Sequence, residues 1–313
     1  MIISKESIAN DLLGLRGALY SDRPPLVMTS LITDNGFLGA IRWSDRWRRG
    51  RKFAQSMLSP SNVSQVVPKQ TTEARQMVVD LAKSPRRYAY WLERAGVMAS
   101  LKQIYGLSEK RGVAEERHVH GICSYMEEID RTAAPGQYLV ELIPALLYLP
   151  ALLAPFKREA RALVSKHWSY LSPLMDHEKE GGKFREPKSF AKKYLESKQD
   201  WELTEREMVW VLSSIYGGGS GTSATAMQSI ILNTCLFPKW QQKMQEEIDR
   251  VVGDERLPSL DDVSNLPTVR AVIKESMRWR PVLSGGLFSI FKSSQMLTLS
   301  ARFSPRRDQR RRV

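Results

Sequence analysis

The chain has 313 residues, 42% of them hydrophobic, and a formal net charge of +13. Such a chain can bury a large core in one big domain or two smaller ones, and its eight tryptophans and 12 methionines argue against a disordered protein. Two cysteines are too few for a disulfide framework, so a reducing compartment is expected.

The positive charge is concentrated near the C-terminus. Residues 285–313 contain seven basic side chains and one acidic side chain, so about +6 of the +13 lies in this short tail. A basic helical protein that binds nucleic acid is one interpretation, and it predicts strongly salt-dependent affinity. The uneven distribution disfavours it, and we predict no nucleic-acid partner.

Helical periodicity dominates the chain. It predicts helices over Lys5–Tyr20, Trp43–Leu58, Thr71–Ala82, Arg86–Tyr105, Glu115–Thr132, Phe156–Glu178, Phe190–Ser197, Thr204–Leu236, Pro238–Val252 and Leu266–Trp279. The only passable strand is Pro25–Ile32. The predicted fold class is therefore mainly α.

The first motif in chain order is Trp47-x-x-x-Arg51, within the predicted helix Trp43–Leu58. Positions four apart lie on one face of a helix, so the indole N–H and the guanidinium can both address one anion. An ordinary basic amphipathic helix with an inward tryptophan is the alternative.

An apolar run from Tyr138 to Phe156 raises the question of a membrane span. Its three prolines and Glu141 argue against a continuous transmembrane helix, because each internal proline removes a backbone hydrogen bond. Two interpretations remain. We favour a buried or partly buried loop and helix segment over an apolar flap that rests on a membrane surface.

The long predicted helix Thr204–Leu236 contains glycines at positions 217, 218, 219 and 221. Glycine inside a helix costs roughly 1 kcal/mol relative to alanine, which is tolerated where a flat or bulky group must approach the backbone. A flexible loop between two helices is the alternative. A phosphate-binding loop is disfavoured, because Thr222 stands where that motif needs a lysine.

Glu275 and Arg278 lie three residues apart in the predicted helix Leu266–Trp279 and can form a bidentate ion pair. Such pairs arise by chance in charged helices, but the flanking stretch Glu255–Val282 makes this one specific. It resembles the helix K region of the cytochrome P-450 superfamily, the haem-thiolate monooxygenases. The resemblance, to fungal-type members, extends over about Ile2–Pro281, and it implies that this ion pair is structural and braces the proximal side.

The resemblance implies roles for the two earlier motifs. Trp47 and Arg51, in helix C, would bind a haem propionate. Helix I of the family carries Ala/Gly-Gly-x-Asp/Glu-Thr-Thr/Ser, which places Gly219 at the oxygen site and makes Thr222 the catalytic residue that helps deliver protons to bound dioxygen. Gly221 replaces the acid of that pattern, a departure that weakens the expected proton relay.

The iron ligand of the family is a cysteine in a Phe-x-x-Gly-x-Arg-x-Cys-x-Gly loop beyond helix K, and this sequence has no such loop. Cys123 and Cys235 are interpreted as small buried hydrophobic residues, so no metal ligand is assigned. We therefore expect a chain truncated at both ends. Residues 1–283 form an incomplete cytochrome P-450 fold, helices B to K with little of the β-rich part, and residues 284–313 form an aberrant, disordered basic tail.

By resemblance, the function is that of a haem-dependent monooxygenase that inserts one oxygen atom from dioxygen into a lipophilic small-molecule substrate. The cofactor would be haem (iron protoporphyrin), and the electron donor an NADPH-dependent reductase. Without the cysteine loop, we expect weak haem binding and no activity. The alternative is a non-catalytic helical fragment or scaffold that binds a membrane or a partner. Family members sit on the endoplasmic reticulum membrane facing the cytoplasm, whereas this chain, lacking an anchor, is expected to be cytoplasmic or peripheral.

Overall fold

The computed structural model describes residues 3–107, 112–180 and 188–283. Over these residues the chain is helical and contains no β-strand, which confirms the mainly α fold. The helices are α1 (Glu6–Ala9), α2 (Gly17–Tyr20), α3 (Val27–Ile32), α4 (Asp45–Met57), α5 (Pro60–Val63), α6 (Val67–Lys83), α7 (Tyr88–Tyr105), α8 (Val113–Ala133), α9 (Leu139–Leu142), α10 (Pro155–Glu180), α11 (Phe190–Glu196), α12 (Lys198–Trp201), α13 (Glu205–Leu236), α14 (Pro238–Val252) and α15 (Pro267–Trp279). The predicted tail, 284–313, lies outside the described residues.

The longest helix, α13, passes through the core and packs most extensively against α7. It begins at a capping box, in which the backbone N–H of Glu207 donates to Thr204 Oγ1 and the Glu207 carboxylate accepts from the backbone N–H of Thr204. The two helices approach closely at Gly96, where an added Cβ would lie 2.5 Å from the carbonyl oxygen of Ser220. Gly96 is therefore the residue that permits this crossing.

Two further helices, α14 and α15, pack against the C-terminal end of α13 and against each other. The carboxylate of Glu247, in α14, accepts hydrogen bonds from the backbone N–H groups of Thr268 and Val269, each at 3.0 Å. These N–H groups belong to the first turn of α15 and have no partner within their own helix. Glu247 thereby fixes the start of α15 relative to α14.

The strand predicted over Pro25–Ile32 is wrong, because this segment forms the helix α3. Its exposed N-terminal donors are satisfied by a residue distant in sequence: Glu141 accepts from the N–H of Val27 at 2.9 Å and from the N–H of Met28 at 2.7 Å. A carboxylate at a helix N-terminus also interacts favourably with the helix dipole. Tertiary contact therefore overrides the local preference of the β-branched and apolar residues for a strand.

Replacing Glu141 with alanine is expected to raise the hydrogen-exchange rates of the Val27 and Met28 amides by roughly tenfold or more, since each bond to a charged acceptor contributes about 1.5–3 kcal/mol. Glu141→Gln keeps one acceptor oxygen and should produce a smaller increase. Exchange measured by mass spectrometry on the α3 peptide checks both variants. Equal exchange in the wild type and Glu141→Ala would contradict the capping role.

The apolar run Tyr138–Phe156 contains α9 and a 3-10 helical segment at Pro144–Tyr148. Val140 and Ala154 are buried, but most of the large apolar side chains between them face solvent. The exposed set comprises Leu139, Leu142, Ile143, Leu147, Tyr148, Leu152 and Leu153. Tyr138, Leu146 and Phe156 pack against the core, so the segment is partly buried, which falls within the favoured prediction of a buried or partly buried loop and helix. None of the helices in the described ranges combines the length and apolar character that a bilayer crossing requires.

The first predicted helix, Lys5–Tyr20, is also divided. A π-helical stretch at Asn10–Leu15 separates α1 from α2. Leu13 and Leu15, both within the π-helical stretch, are exposed by 51% and 87%. Few other residues pack on this segment, so tertiary contacts do not hold it in one regular helix.

Candidate functional site

One side of α13 is bare in its middle. Gly218, Gly221 and Thr222 are exposed, whereas Ser220 and Ala224 on the opposite side are buried. A Cβ added at Gly218 or Gly221 would meet no atom within 4 Å. The missing side chains therefore leave an open, backbone-lined surface on which a flat group has room to lie.

Gly219 behaves differently from its neighbours. An added Cβ there would lie 2.7 Å from Ser100 Oγ, in α7, so this glycine serves the packing of α7 on α13. Sequence reasoning singled out Gly219 and passed over Gly218, although Gly218 occupies the small-residue position that opens the motif. Gly219 is exposed as well, but only Gly218 and Gly221 leave open space around an added Cβ, and the predicted role of Gly219 at an oxygen site stays a prediction.

Three hydroxyls on this surface donate to backbone carbonyls one turn earlier. Thr222 Oγ1 donates to Gly218, Ser223 Oγ to Gly219 at 3.1 Å, and Thr225 Oγ1 to Gly221 at 3.0 Å. Such bonds compete with the helix ladder and bend helices slightly. They also fix the rotamer of each hydroxyl, while the lone pairs of the oxygen remain available to accept a hydrogen bond.

Trp47 and Arg51 lie on α4, whose N-terminus is capped by Ser44 Oγ accepting from the Trp47 backbone N–H at 3.1 Å. The Trp47 indole N–H donates to the carbonyl of Leu38 at 3.2 Å. Arg51 is exposed. The guanidinium alone is thus presented to a ligand in this conformation, and the indole would have to exchange Leu38 for the same anion.

Glu275 and Arg278, on α15, form the expected bidentate geometry. Arg278 Nε donates to Glu275 Oε2 at 2.7 Å and Arg278 Nη2 donates to Glu275 Oε1 at 2.6 Å. The hydrogen bond from Arg278 lowers the pKa of Glu275, and the same bond raises the pKa of Arg278. Both side chains are exposed, by 55% and 71%, so the pair itself contributes little to folding.

The three motifs are arranged along α13. Helix α4 meets it at Val211, where a Cβ on Gly50 would lie 3.0 Å from Val211 Cγ2. Helix α15 meets it at Asn233, whose Nδ2 donates to Ser276 Oγ at 2.8 Å. Thr222 lies 11 residues from each of these positions, which is about 16 Å and three turns of helix, so the three positions share one face. We refer to this bare surface, which is bounded by α4 at one end and α15 at the other, as the recess.

Neither cysteine belongs to this recess. Cys123 is half-buried in α8, and burial raises its pKa to about 11. Cys235 is exposed, so its predicted burial is wrong. It lies 13 residues beyond Thr222 on α13, about 20 Å along the axis. Within the described ranges, no group of three or more His, Cys, Asp or Glu side chains is placed to hold a metal ion.

The two thiols should differ in reactivity. At pH 8 a thiol with a pKa of about 11 is thiolate in roughly one molecule per thousand, so Cys123 should react slowly with an aromatic disulfide reagent. Its rate should rise about tenfold per pH unit up to about pH 11. Exposed Cys235 should react much faster. In Cys235→Ser, only the slow reaction of Cys123 should remain. A fast phase that survives in Cys235→Ser would contradict this assignment.

A family model described as cytochrome P450 matches residues 1–288, and the chain belongs to this family. It is 31% identical over 289 residues to one cytochrome P450 monooxygenase of Armillaria gallica, covering 92% of this chain and 55% of the relative. A second from the same fungus is 32% identical over 293 residues, with 92% and 56% covered. The chain thus spans about half the length of the curated relatives it matches.

A solved structure of a zebra fish cytochrome P450 with progesterone is similar to this fold. Its TM-score is 0.72 at 22% identity, covering 89% of this chain and 65% of the zebra fish chain. At this level of identity the similarity shows the fold alone. It agrees with the expectation of an incomplete cytochrome P450 fold.

Proposed function

We propose that this chain contributes the oxygen-facing wall and part of the haem-edge contacts of a haem-dependent monooxygenase that oxidises a lipophilic substrate. The observation that supports the proposal is the recess on α13. It combines open space at Gly218 and Gly221 with a positioned hydroxyl at Thr222, and it lies between the helices that carry Arg51 and the Glu275–Arg278 pair.

Haem fits this recess in two respects. A porphyrin is flat and apolar, and the missing side chains of Gly218 and Gly221 leave a cradle that a Cβ would fill. Its propionates are anionic, and Arg51 presents an exposed guanidinium on α4. An axial thiolate does not fit the described cysteines, because Cys235 lies about 20 Å from Thr222 along α13 and Cys123 is in α8.

When bound, haem supplies the iron that activates dioxygen; the residues of the chain supply position and protons. Thr222 Oγ1 donates a hydrogen bond to the Gly218 carbonyl. Its lone pairs can accept a hydrogen bond from another donor. Ser223 adds a neighbouring hydroxyl. Gly221 places no carboxylate on this face, so proton transfer through Thr222 depends on hydroxyls and water and is expected to be less efficient than with an acid at that position.

A haem titration of the purified chain, followed in the Soret region, tests the proposal. We expect weak binding, and Gly218→Leu should weaken it by roughly tenfold or more because the leucine fills the recess. Gly14→Leu is the matched control, since Gly14 is also exposed with no atom within 4 Å of an added Cβ. No Soret change in the wild type, or equal binding by both variants, would contradict the proposal. The carbon-monoxide complex of the reduced protein should lack the thiolate type of Soret band.

The electron donor in this proposal is an NADPH-dependent reductase. Two exposed cations on α4, Arg48 and Lys52, form a basic surface that suits an acidic partner domain. Arg48 is already within 3.5 Å of Asp45, so Lys52 should contribute more to association.

As a second role we propose that the exposed apolar residues between Leu139 and Leu153 rest on a membrane surface, which would make the protein peripheral. The observation in favour is their exposure, 80% for Leu152 and 65% for Leu153. Burying one leucine contributes about 1.5–3 kcal/mol, so Leu152→Ser with Leu153→Ser should reduce binding to phosphatidylcholine vesicles by roughly tenfold or more. Leu257→Ser with Leu260→Ser changes two other exposed leucines, far from this segment in the sequence, and should have no effect. Equal losses in both double variants would contradict a specific contact.

A further inference from the structure

A groove of about 480 Å³ lies between α3 and α10, outside the recess on α13. Its apolar lining comes from Leu31, Ala160 and Val164, and its polar lining from Lys157, Arg161 and Ser165. The volume falls within the range of about 300–1,000 Å³ typical of small-molecule sites. An apolar floor with cations at its edge matches an amphiphile that carries a negative charge.

The groove adjoins the exposed apolar segment. Lys157 Nζ donates to the carbonyls of Leu147 at 2.6 Å and Leu149 at 2.7 Å. These bonds hold the segment against the end of α10 that lines the groove. Because an ammonium has three N–H donors, one donor of Lys157 stays available for a ligand.

The electrostatics around the groove favour an anion. Arg161 is exposed, and no hydrogen bond or ion pair holds its guanidinium among the described residues. The nearby carboxylates are already occupied: Glu159 accepts from Arg131 at 2.9 Å and from the Tyr138 hydroxyl at 2.7 Å, and Glu141 caps α3. Arg161 is therefore a cation without a local counterion.

We propose that the groove holds one anionic phospholipid from the bilayer on which the apolar segment rests. Its acyl chain lies along Leu31, Ala160 and Val164, and its phosphate is bound by Arg161 with the remaining donor of Lys157. The inference rests on the proposed membrane contact and adds to it a preference for anionic lipid. It requires nothing of the recess on α13.

Binding of the full chain to phosphatidylcholine vesicles, alone or mixed with phosphatidylserine, tests the proposal. We expect Arg161→Gln to lower affinity for the mixed vesicles by roughly fivefold and to leave binding to phosphatidylcholine unchanged. Arg158→Gln is the matched control, since it removes the same charge from an exposed position on α10 that does not line the groove. Val164→Trp, which fills the groove, should also reduce the preference for phosphatidylserine.

The outcomes are distinguishable. Equal losses in Arg161→Gln and Arg158→Gln would show a diffuse charge effect and overturn the groove site, as would an unchanged lipid preference in folded Val164→Trp. The double variant Leu152→Ser with Leu153→Ser tests the membrane contact itself. It should lose binding to both vesicle types, and unchanged binding would overturn that contact. Tight binding of a soluble fatty acid without any preference for anionic vesicles would overturn the bilayer as the source of the ligand.

Discussion

Replacing Arg94 with leucine is expected to lower the free energy of unfolding by about 3–5 kcal/mol, because it leaves the buried Glu115 carboxylate without its counterion and Glu73 with Lys102 alone. Arg94 Nη1 donates to Glu73 Oε2 at 2.9 Å, and its Nε faces Glu115 Oε1. Lys102 pairs with the other oxygen of Glu73. Arg94, Glu73 and Glu115 are only 4–5% exposed, so water cannot replace the lost cation.

Urea unfolding followed by tryptophan fluorescence measures this effect. Arg278→Leu is the control, because its ion pair with Glu275 is exposed to solvent and should contribute little to stability. Adding Glu73→Gln and Glu115→Gln to Arg94→Leu should restore part of the stability, since the orphaned charges are then removed. Equal losses in Arg94→Leu and Arg278→Leu would contradict a buried network that joins α6, α7 and α8.

Replacing glycine with alanine should have opposite effects on stability at two positions, one in α7 and one in α13. Gly96→Ala is expected to destabilise the protein by about 1–3 kcal/mol, because its Cβ would lie 2.5 Å from the Ser220 backbone and the helices must separate. Gly221→Ala should stabilise the protein by up to about 1 kcal/mol, since its Cβ enters open space and alanine favours a helix.

Thermal or urea unfolding of the two variants checks the difference in sign. Gly14→Ala, at another position without close neighbours, controls for the general effect of adding a methyl group. A stabilising Gly96→Ala would show that α7 and α13 do not cross closely there. A destabilising Gly221→Ala would show that the face of α13 is covered, and it would remove the recess on which the haem proposal depends.

Local sequence signals were sufficient to predict most of the helices. The start of α13 follows from Thr204 and Glu207, a capping box that reads the same in sequence and structure. Helix α14 begins at Pro238 and ends before Gly253, and α15 begins at Pro267. These elements were predictable because their boundaries depend on residues within one turn of each end.

Errors occurred where the deciding partner is distant in sequence. Glu141 makes a helix of Val27–Ile32, although these residues favour a strand locally. The amphipathic patterns give no information about such partners.

Sequence alone determined the family, the mainly α class and the order of the three motifs, because helix caps, periodicity and short motifs are local properties of the chain. Only the tertiary structure decided that α4 and α15 meet α13 on the face that carries Thr222, and that an added Cβ has open space at Gly218 and Gly221 but meets Ser100 at Gly219. It alone also placed five of the seven leucines of residues 139–153 in solvent, beside a groove at which the Arg161 guanidinium is exposed. Exposure and open space depend on which helices pack on a surface, and that depends on contacts between residues far apart in the chain.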